Sequence, residues 1–249
     1  MYLNSVTCTA FQDVRWETDS AGSSTDDLAV FRVALPHIAD QMPYLRHLLS
    51  LDEVARAGRY HQSDDALRFI GTRGVLRVLL ARYTNQSPGS IEFAPGPNRK
   101  PSLKHADDWQ FNVSHAGNWI LIAIGKAHVG VDLDRVDPDF SFRDVMDASF
   151  SPAERQYVDG CTDARRGFFE LWTRKEALVK ATAKGIDDAF DRMPSLPGTH
   201  SVESRLLGAD GHWTVASFDV ADGYPAAIAH DGPWWSTPRF YTIHTRLLG

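Results

Sequence analysis

The amino-acid sequence predicts an α+β fold made of two similar lobes, with the active site in the cleft between them. Three pairs of segments recur in the same order about 100 residues apart, which is the scale of a duplicated lobe. Short β-branched and apolar runs bounded by Gly or Asn predict strands. The stretches between them have the apolar spacing of helices. We therefore predict two α+β lobes related by a pseudo-two-fold axis, with a ligand in the concave region between them.

The paired segments are, in chain order, a strand, a long helix and a hairpin. They are residues 29–36 with 128–136, residues 63–83 with 161–185, and residues 108–125 with 212–230. The chain then divides into an N-terminal extension (1–28), an N-terminal lobe (29–126) and a C-terminal lobe (127–249) that carries the metal site. The alternative, that ordinary α+β patterning produces these similarities, stays open at this point.

Composition excludes several classes of protein. A chain of 249 residues that is 43% hydrophobic can bury a substantial core. The net charge of -6 gives no general attraction to nucleic acid or to an anionic membrane, and we see neither a secretory signal nor a membrane span. The only cysteines, Cys8 and Cys161, suggest no disulfide framework and no zinc site. We expect a soluble protein in a reducing, cytoplasmic setting.

Two aspartates stand in the apolar segment VGVDLD (129–134). The two-residue period of a strand puts Asp132 and Asp134 on one side, while Val131 and Leu133 face the core. Carboxylates this close repel each other unless a cation lies between them. The segment is therefore either half of a metal site or an exposed acidic strand end, and taken alone the exposed strand end is favoured.

A third carboxylate stands on the predicted helix FFELWTRKEALVKATAKG (168–185). Glu176 and Lys180 lie four residues apart on one helix face, in line with Phe169 and Trp172. An ordinary surface Glu–Lys pair is the alternative. Magnesium prefers oxygen ligands, typically carboxylates together with substrate phosphates. Three carboxylates without His or Cys argue against zinc or copper, so we predict a Mg²⁺ site.

The predicted ligands of that site are Asp132, Asp134 and Glu176, and Lys180 stands one turn further on, where it can neutralise a phosphate.

Basic residues near the predicted cleft suit phosphate groups. The turn segment FAPGPNRKP (93–101) presents Lys100, and the segment FNVSHAG (111–117) ends in Ser114 and His115. Further cations on or before the first long helix are Arg56, Arg59, Arg68 and Arg73. Each has a plain alternative: a solvated turn, a hydrogen-bonded turn histidine, or a solvated helix face. The sequence has no Walker A loop, no GxGxxG fingerprint and no nucleophile elbow.

Together the segments NRKP, FNVSHAG, VGVDLD, FSPAE (150–154) and LWTRKEALVKATAKGI (171–186) resemble the ordered signature of the 4′-phosphopantetheinyl transferase family, surfactin-synthetase-activator (Sfp-like) type. The resemblance covers residues 50–190. It implies the fold of that family and transfer of phosphopantetheine from coenzyme A to a serine of an acyl or peptidyl carrier protein. The reaction releases adenosine 3′,5′-bisphosphate. The modified carrier would take part in fatty-acid, polyketide or non-ribosomal peptide synthesis.

The resemblance also implies roles for individual residues. Asp132, Asp134 and Glu176 would bind Mg²⁺, with Glu176, Lys180 and Asp132 catalytic. Coenzyme A would contact Arg56, Arg68, Lys100, Ser114, His115 and Lys180. Asp134 stands where the family often has Glu, and Glu53 and Phe69 stand where close relatives can offer Lys and Thr. A monomer is expected, since duplication builds the cleft within one chain.

Two other functions remain compatible with the acidic residues. A Mg²⁺-dependent coenzyme A diphosphate hydrolase would use water as its nucleophile. A non-catalytic protein that binds coenzyme A or a carrier would need no base, and the presence of Asp132, Glu176 and Lys180 speaks against it.

Overall fold

The computed structural model describes residues 3–18, 26–105, 108–187, 189–232 and 237–244. The α+β class is confirmed. The strands are β1 (Leu3–Ala10), β2 (Glu17–Thr18), β3 (Leu28–Ala34), β4 (Phe93–Pro95), β5 (Pro101–Leu103), β6 (Gln110–Ala116), β7 (Trp119–Gly125), β8 (Val129–Leu133), β9 (Gly198–Glu203), β10 (His212–Ala221), β11 (Tyr224–Asp231) and β12 (Arg239–Thr242). The helices are α1 (Met42–His47), α2 (Leu51–Ala57), α3 (Ser63–Thr84), α4 (Phe142–Ser149), α5 (Pro152–Asp159), α6 (Ala164–Thr182) and α7 (Ser204–Leu207).

Two five-stranded sheets organise the described chain. The N-terminal sheet has the order β2-β12-β3-β7-β6, and the C-terminal sheet has the order β8-β11-β10-β1-β9. Strands β3, β7 and β6 pair antiparallel in succession, as do β8, β11 and β10. The predicted strand–helix–hairpin order therefore occurs in both halves, with α3 and α6 as the long helices. The pseudo-two-fold axis stays a prediction.

The two ends of the chain exchange sheets. Strand β1 pairs parallel with β10 in the C-terminal sheet, and β12 pairs parallel with β3 in the N-terminal sheet. Residues 3–10 of the predicted extension 1–28 thus form a strand of a sheet, and residues 1–2 and 19–25 lie outside the described residues. The extension as a separate unit stays a prediction. Only Val6 and Cys8 mark β1 as an inward-facing strand, which is too short an alternation to identify its partner. The lobe division at 126/127 stays a prediction.

The two sheets face each other, and the long helices cover their outer faces. Val30 and Leu121 of the N-terminal sheet share a buried cluster with Val131, Phe218 and Ile228 of the C-terminal sheet. A second cluster lies between α3 and the N-terminal sheet, and a third lies between α6 and the C-terminal sheet. No helix in the described part of the chain is long and apolar enough to cross a membrane.

The edge strands β6 and β8 meet where the two halves join. The backbone N–H of Val131 donates to Oδ1 of Asn112 at 2.9 Å, which links the two strands through a side chain. Helix α6 approaches β8 so closely at Gly130 that a Cβ atom there would lie 2.1 Å from the carbonyl oxygen of Ala177. The absence of a side chain at Gly130 therefore lets the helix and the strand bring their polar residues together.

Candidate active site

A cavity of about 320 Å³ lies where β6, β8 and α6 meet. Its lining includes Ser114 and His115 from β6, Asp132 and Asp134 from β8 and the residue after it, and Trp172, Glu176 and Lys180 from α6. The structure thus brings the predicted catalytic residues and the predicted metal ligands into one place. Both halves of the chain contribute to the lining. We call this space the acidic cavity.

The strand pattern explains how the aspartates reach this cavity. Val131 and Leu133 are buried in the cluster between the sheets, as the two-residue period predicts. Asp132 therefore projects to the other side and is itself only 6% exposed. A carboxylate so well buried needs partners. Its Oδ1 atom accepts hydrogen bonds from Lys180 Nζ at 2.6 Å and from Ser114 Oγ at 2.9 Å.

Negative charge accumulates around Glu176. Burial raises the pKa of its carboxyl group to about 7, and the charges of Asp132 and Asp134 push in the same direction, while Lys180 opposes them. The pKa of Asp134 is also raised, chiefly by burial. One lysine among three carboxylates leaves the cavity with excess negative charge, an environment that favours an added cation.

The donor set fits magnesium by its chemistry. Within the described ranges there is no group of three His, Cys, Asp or Glu side chains already arranged to hold a metal ion. Lys180 instead occupies one oxygen of Asp132. However, the acidic side chains that line the cavity offer carboxylate oxygens only, which is the type of ligand that Mg²⁺ takes from proteins.

A second cavity of about 380 Å³ adjoins the first and shares Val113 and His115 with it. We call it the arginine cavity. Its cations are Arg56 and Arg68, predicted to contact coenzyme A, together with Arg73. Arg59 is not among the residues that line it. Arg68 is held by Asp65, whose Oδ1 accepts from Nη1 at 2.7 Å.

Sequence reasoning missed several features of the arginine cavity. Phe69 packs against Tyr60 with ring centroids 5.7 Å apart, and the Arg56 guanidinium lies 5.0 Å from the Phe69 ring centroid. Arg73 Nη1 and Thr72 Oγ1 are buried without a hydrogen-bond partner among the described residues. Phe69, Thr72 and Arg73 follow Arg68 at helical spacing on α3, and this spacing could have identified them in the sequence as further lining residues. The cavity therefore combines aromatic surface with cations.

Lys100 lies beside a third cavity of about 260 Å³ that also touches Glu176 and Lys180. Its ammonium group donates to the backbone carbonyls of Val129 at 2.9 Å and Ala181 at 3.0 Å. Burial lowers its pKa to about 8. The predicted contact between Lys100 and the nucleotide stays a prediction, and the side chain of Arg99 in the same turn lies outside what the structure describes.

An acidic cavity that adjoins an arginine cavity is an arrangement that suits a phosphorylated substrate and a cation. Comparison with known proteins agrees. The family model described as the 4′-phosphopantetheinyl transferase superfamily matches residues 128–229, and the model described as 4′-phosphopantetheinyl transferase, N-terminal, matches residues 37–127.

Individual relatives give the same result along most of the chain. A Synechocystis sp. protein assigned to this family is 35% identical over 222 residues, which is 83% of this chain and 87% of the relative. The 4′-phosphopantetheinyl transferase HetI of Nostoc sp. is 30% identical, over 87% of this chain and 92% of HetI. The 4′-phosphopantetheinyl transferase Sfp of Bacillus subtilis is 24% identical, over 74% of this chain and 83% of Sfp.

The chain therefore belongs to the 4′-phosphopantetheinyl transferase superfamily and is a transferase. The family resemblance predicted from five sequence segments is confirmed for the superfamily, and Sfp is among the relatives that match.

Proposed function

We propose that this protein transfers 4′-phosphopantetheine from coenzyme A to a serine of an acyl or peptidyl carrier protein and releases adenosine 3′,5′-bisphosphate. The observation that carries the proposal is the junction of the two cavities at Val113 and His115. A single coenzyme A molecule has a nucleotide at one end of its diphosphate and pantetheine at the other. The arginine cavity suits the nucleotide and the acidic cavity suits a diphosphate.

The nucleotide end is assigned to the arginine cavity. Arg56 and Arg68 supply positive charge for phosphate oxygens. His115 lines both cavities, and Ser114 lines the acidic cavity beside it. Lys100 is also assigned to the nucleotide. Its ammonium donates to two backbone carbonyls, which leaves one of its three N–H donors for a phosphate oxygen. Phe69 and Tyr60 add the aromatic surface on which a base can stack.

The acidic cavity is assigned to the diphosphate. Asp132, Asp134 and Glu176 would hold Mg²⁺, which neutralises charge on the diphosphate when bound. Lys180 is positioned to interact with the same phosphate groups because its ammonium lies at the cavity wall, 2.6 Å from Asp132. Partial exposure leaves Lys180 free to change partner, since 29% of its side chain is accessible.

Glu176 is the proposed general base, directly or through water. Its carboxylate lines the acidic cavity with Asp132 and Lys180, where it can accept the proton of a serine bound beside the diphosphate. The carrier serine Oγ forms a bond to the β-phosphorus of coenzyme A, and its proton goes to Glu176. The bond from that phosphorus to the bridging oxygen breaks, and Lys180 stabilises the charge that develops on the leaving phosphate. Alignment of the serine in the cleft supplies a large part of the rate.

A cytoplasmic setting and a monomeric state complete the proposal. Cys8 and Cys161 are free thiols, which fits a reducing compartment. Strands and helices from both halves of one chain line the acidic cavity, so a second copy is not needed to build it. Membrane and nucleic-acid partners have no part in the proposal.

The decisive assay incubates the purified protein with coenzyme A, Mg²⁺ and each of several apo carrier proteins, and then measures the intact mass of the carriers. We expect one carrier or more to gain one phosphopantetheine. Cleavage of coenzyme A while every carrier keeps its mass would replace transfer by hydrolysis. Binding of coenzyme A without any cleavage would identify a non-catalytic binding protein.

Replacing the base tests the assignment of Glu176. Glu176→Gln should lower kcat by about 10²–10⁴-fold, the usual contribution of general base catalysis. Glu92→Gln is the matched control, because Glu92 is an exposed carboxylate paired with Lys104 and lines neither cavity. Normal turnover by the Glu176→Gln variant would remove Glu176 from this role. Both variants should melt at similar temperatures.

A further inference from the structure

The turn at residues 96–101 in the N-terminal half reaches the C-terminal end of α6. Asn98 Nδ2 donates to the carbonyl oxygens of Ala183 at 2.8 Å and Lys184 at 2.6 Å. Lys100 Nζ donates to those of Ala181 and Val129. Two side chains of one turn therefore bind three carbonyls at the end of α6 and one at the start of β8.

The chemistry of a helix end explains why such contacts matter. The last carbonyls of an α-helix have no partner within the helix and carry partial negative charge. Ala183, the C-cap residue that follows α6, has the left-handed backbone conformation (φ 54°) that alanine rarely adopts. Asn98 also has positive φ (47°), which asparagine tolerates well. The turn thus supplies hydrogen-bond donors and a cation where the helix needs both.

We propose that Asn98 and Lys100 form a clamp that positions α6 against β8, and with it Glu176 and Lys180 against Asp132. Lys180 lies three residues before Ala183, and Asp132 lies three residues after Val129, so the clamp holds both elements close to their reacting side chains. The third cavity lies between the clamp and the acidic cavity, and its lining includes Asn98, Lys100, Glu176 and Lys180. Asn98 is thus a positioning residue, and Lys100 holds the same helix end with the ammonium group that is also assigned to coenzyme A.

The catalytic part of this inference rests on the proposed transferase function. Its first test is Asn98→Gly, which keeps a residue that accepts positive φ and removes only the amide. We expect kcat for carrier modification to fall about 10-fold while the KM for coenzyme A stays unchanged, because small displacements of reacting groups reduce the rate without removing a ligand contact. A folded Asn98→Gly enzyme with wild-type kcat would overturn the clamp.

Asn85 provides the matched control. It follows α3 as the C-cap residue, has the same left-handed conformation (φ 52°) and is absent from the lining of the acidic cavity, the arginine cavity and the third cavity. We expect Asn85→Gly to leave kcat and both KM values unchanged. An equal fall in kcat for Asn85→Gly would mean that any change at a helix end slows the enzyme, which contradicts a specific clamp.

Lys100→Met should lower kcat and also raise the KM for coenzyme A, because the same ammonium is assigned to both roles. A folded Lys100→Met enzyme with wild-type kcat at saturating coenzyme A would overturn the place of Lys100 in the clamp.

Hydrogen exchange tests the clamp without any carrier. In the wild-type protein the Lys184 backbone N–H donates to the Val179 carbonyl at 3.2 Å. We expect the last turn of α6 to exchange faster in Asn98→Gly and the last turn of α3 to exchange as before. Unchanged exchange in α6 overturns the clamp. If the wild-type protein modified no carrier, the proposed function would fail while this measurement still decided the inference.

Discussion

The two long helices are anchored in the same way, by an ion pair with a glutamate on the short helix that precedes each of them. However, α3 lines a cationic cavity and α6 lines an acidic one. Helix α2 precedes α3 and begins with a capping box, in which the Ser50 backbone N–H donates to Glu53 Oε2 at 3.0 Å. The same carboxylate oxygen lies 2.7 Å from Nη2 of Arg77 on α3, and the Arg77 side chain is only 2% exposed. A second cation, Arg73, lies 3.2 Å from the other oxygen of Glu53.

Helix α5 repeats this arrangement for α6. Its capping box joins the Ser151 backbone N–H to Glu154 Oε2 at 2.8 Å, and that oxygen lies 2.9 Å from the fully buried ammonium of Lys175. The next residue, Glu176, faces the acidic cavity. In the C-terminal half, therefore, the supporting ion pair and the reacting carboxylate are separate side chains on adjacent positions.

The difference between the halves lies in how far the supporting network extends. Arg73 belongs both to the network around Glu53 and to the lining of the arginine cavity. Lys175 lines none of the three cavities discussed above and donates to the carbonyls of Ser149, Phe190 and Asp191. The same glutamate–cation pair thus supports a cationic site in one half and an acidic site in the other. In the N-terminal half the glutamate has a second cation, Arg73, in addition to Arg77.

The second cation beside Glu53 leads to the largest predicted effect, a difference in stability between variants of the two ion pairs. Lys175→Met leaves Glu154 buried without a cation and should lower the free energy of unfolding by about 3–5 kcal/mol. Arg77→Met should cost less, because Arg73 still pairs with Glu53. Urea denaturation of both variants measures the two losses. Equal losses would show that Arg73 does not compensate.

The close approach at Gly130 gives the next effect. An added Cβ would lie 2.1 Å from the Ala177 carbonyl oxygen and 2.3 Å from the Ala181 nitrogen, both backbone atoms of α6. Gly130→Ala should cost about 1–3 kcal/mol by overpacking and should lower kcat, because it separates Asp132 from Glu176.

Gly74→Ala is the companion variant on the other long helix, where the new Cβ would meet the Leu45 side chain at 2.6 Å. We expect a comparable loss of stability, read from thermal melting, with a smaller fall in kcat. An unchanged kcat for Gly130→Ala would mean that the spacing of α6 and β8 does not control the acidic cavity.

The local pattern of apolar residues was enough to predict the two long helices and to predict which side of strand β8 carries Asp132. The spacing of apolar residues marks α3 and α6, and the two-residue period places Asp132 opposite Val131. Both signals come from neighbours in sequence, so they survive without knowledge of the fold. The convergence of Asp132 and Glu176 was predicted from the ligand preference of Mg²⁺ and supported by the family resemblance, since no local period relates a strand to a helix about 40 residues later.

Contacts between distant segments could not be predicted in this way. Strand β1 pairs with β10, some 200 residues further along the chain, and its short alternation does not specify that partner. Asn98 stands in a segment with ordinary turn composition, and its role emerges only when the end of α6 is placed beside it. The sequence therefore indicated where polar residues lie and left open which carbonyls they bind.

The ends of the long helices give the smallest predicted effect. Each is followed by a C-cap residue in the left-handed conformation, Asn85 after α3 and Ala183 after α6. Alanine in this conformation costs about 1 kcal/mol or more, whereas asparagine costs less. Ala183→Gly should therefore raise the free energy of unfolding by roughly 0.5 kcal/mol, after the greater freedom of glycine in the unfolded chain is counted.

Asn85→Gly should change the stability less than Ala183→Gly, since asparagine already suits the left-handed conformation. Urea denaturation of both variants gives the comparison. A loss of stability in Ala183→Gly would show that the Ala183 side chain makes contacts worth more than the strain it introduces. Equal gains in the two variants would mean that the clamp at Asn98 already offsets the strain at Ala183, because its amide binds the carbonyl of that residue.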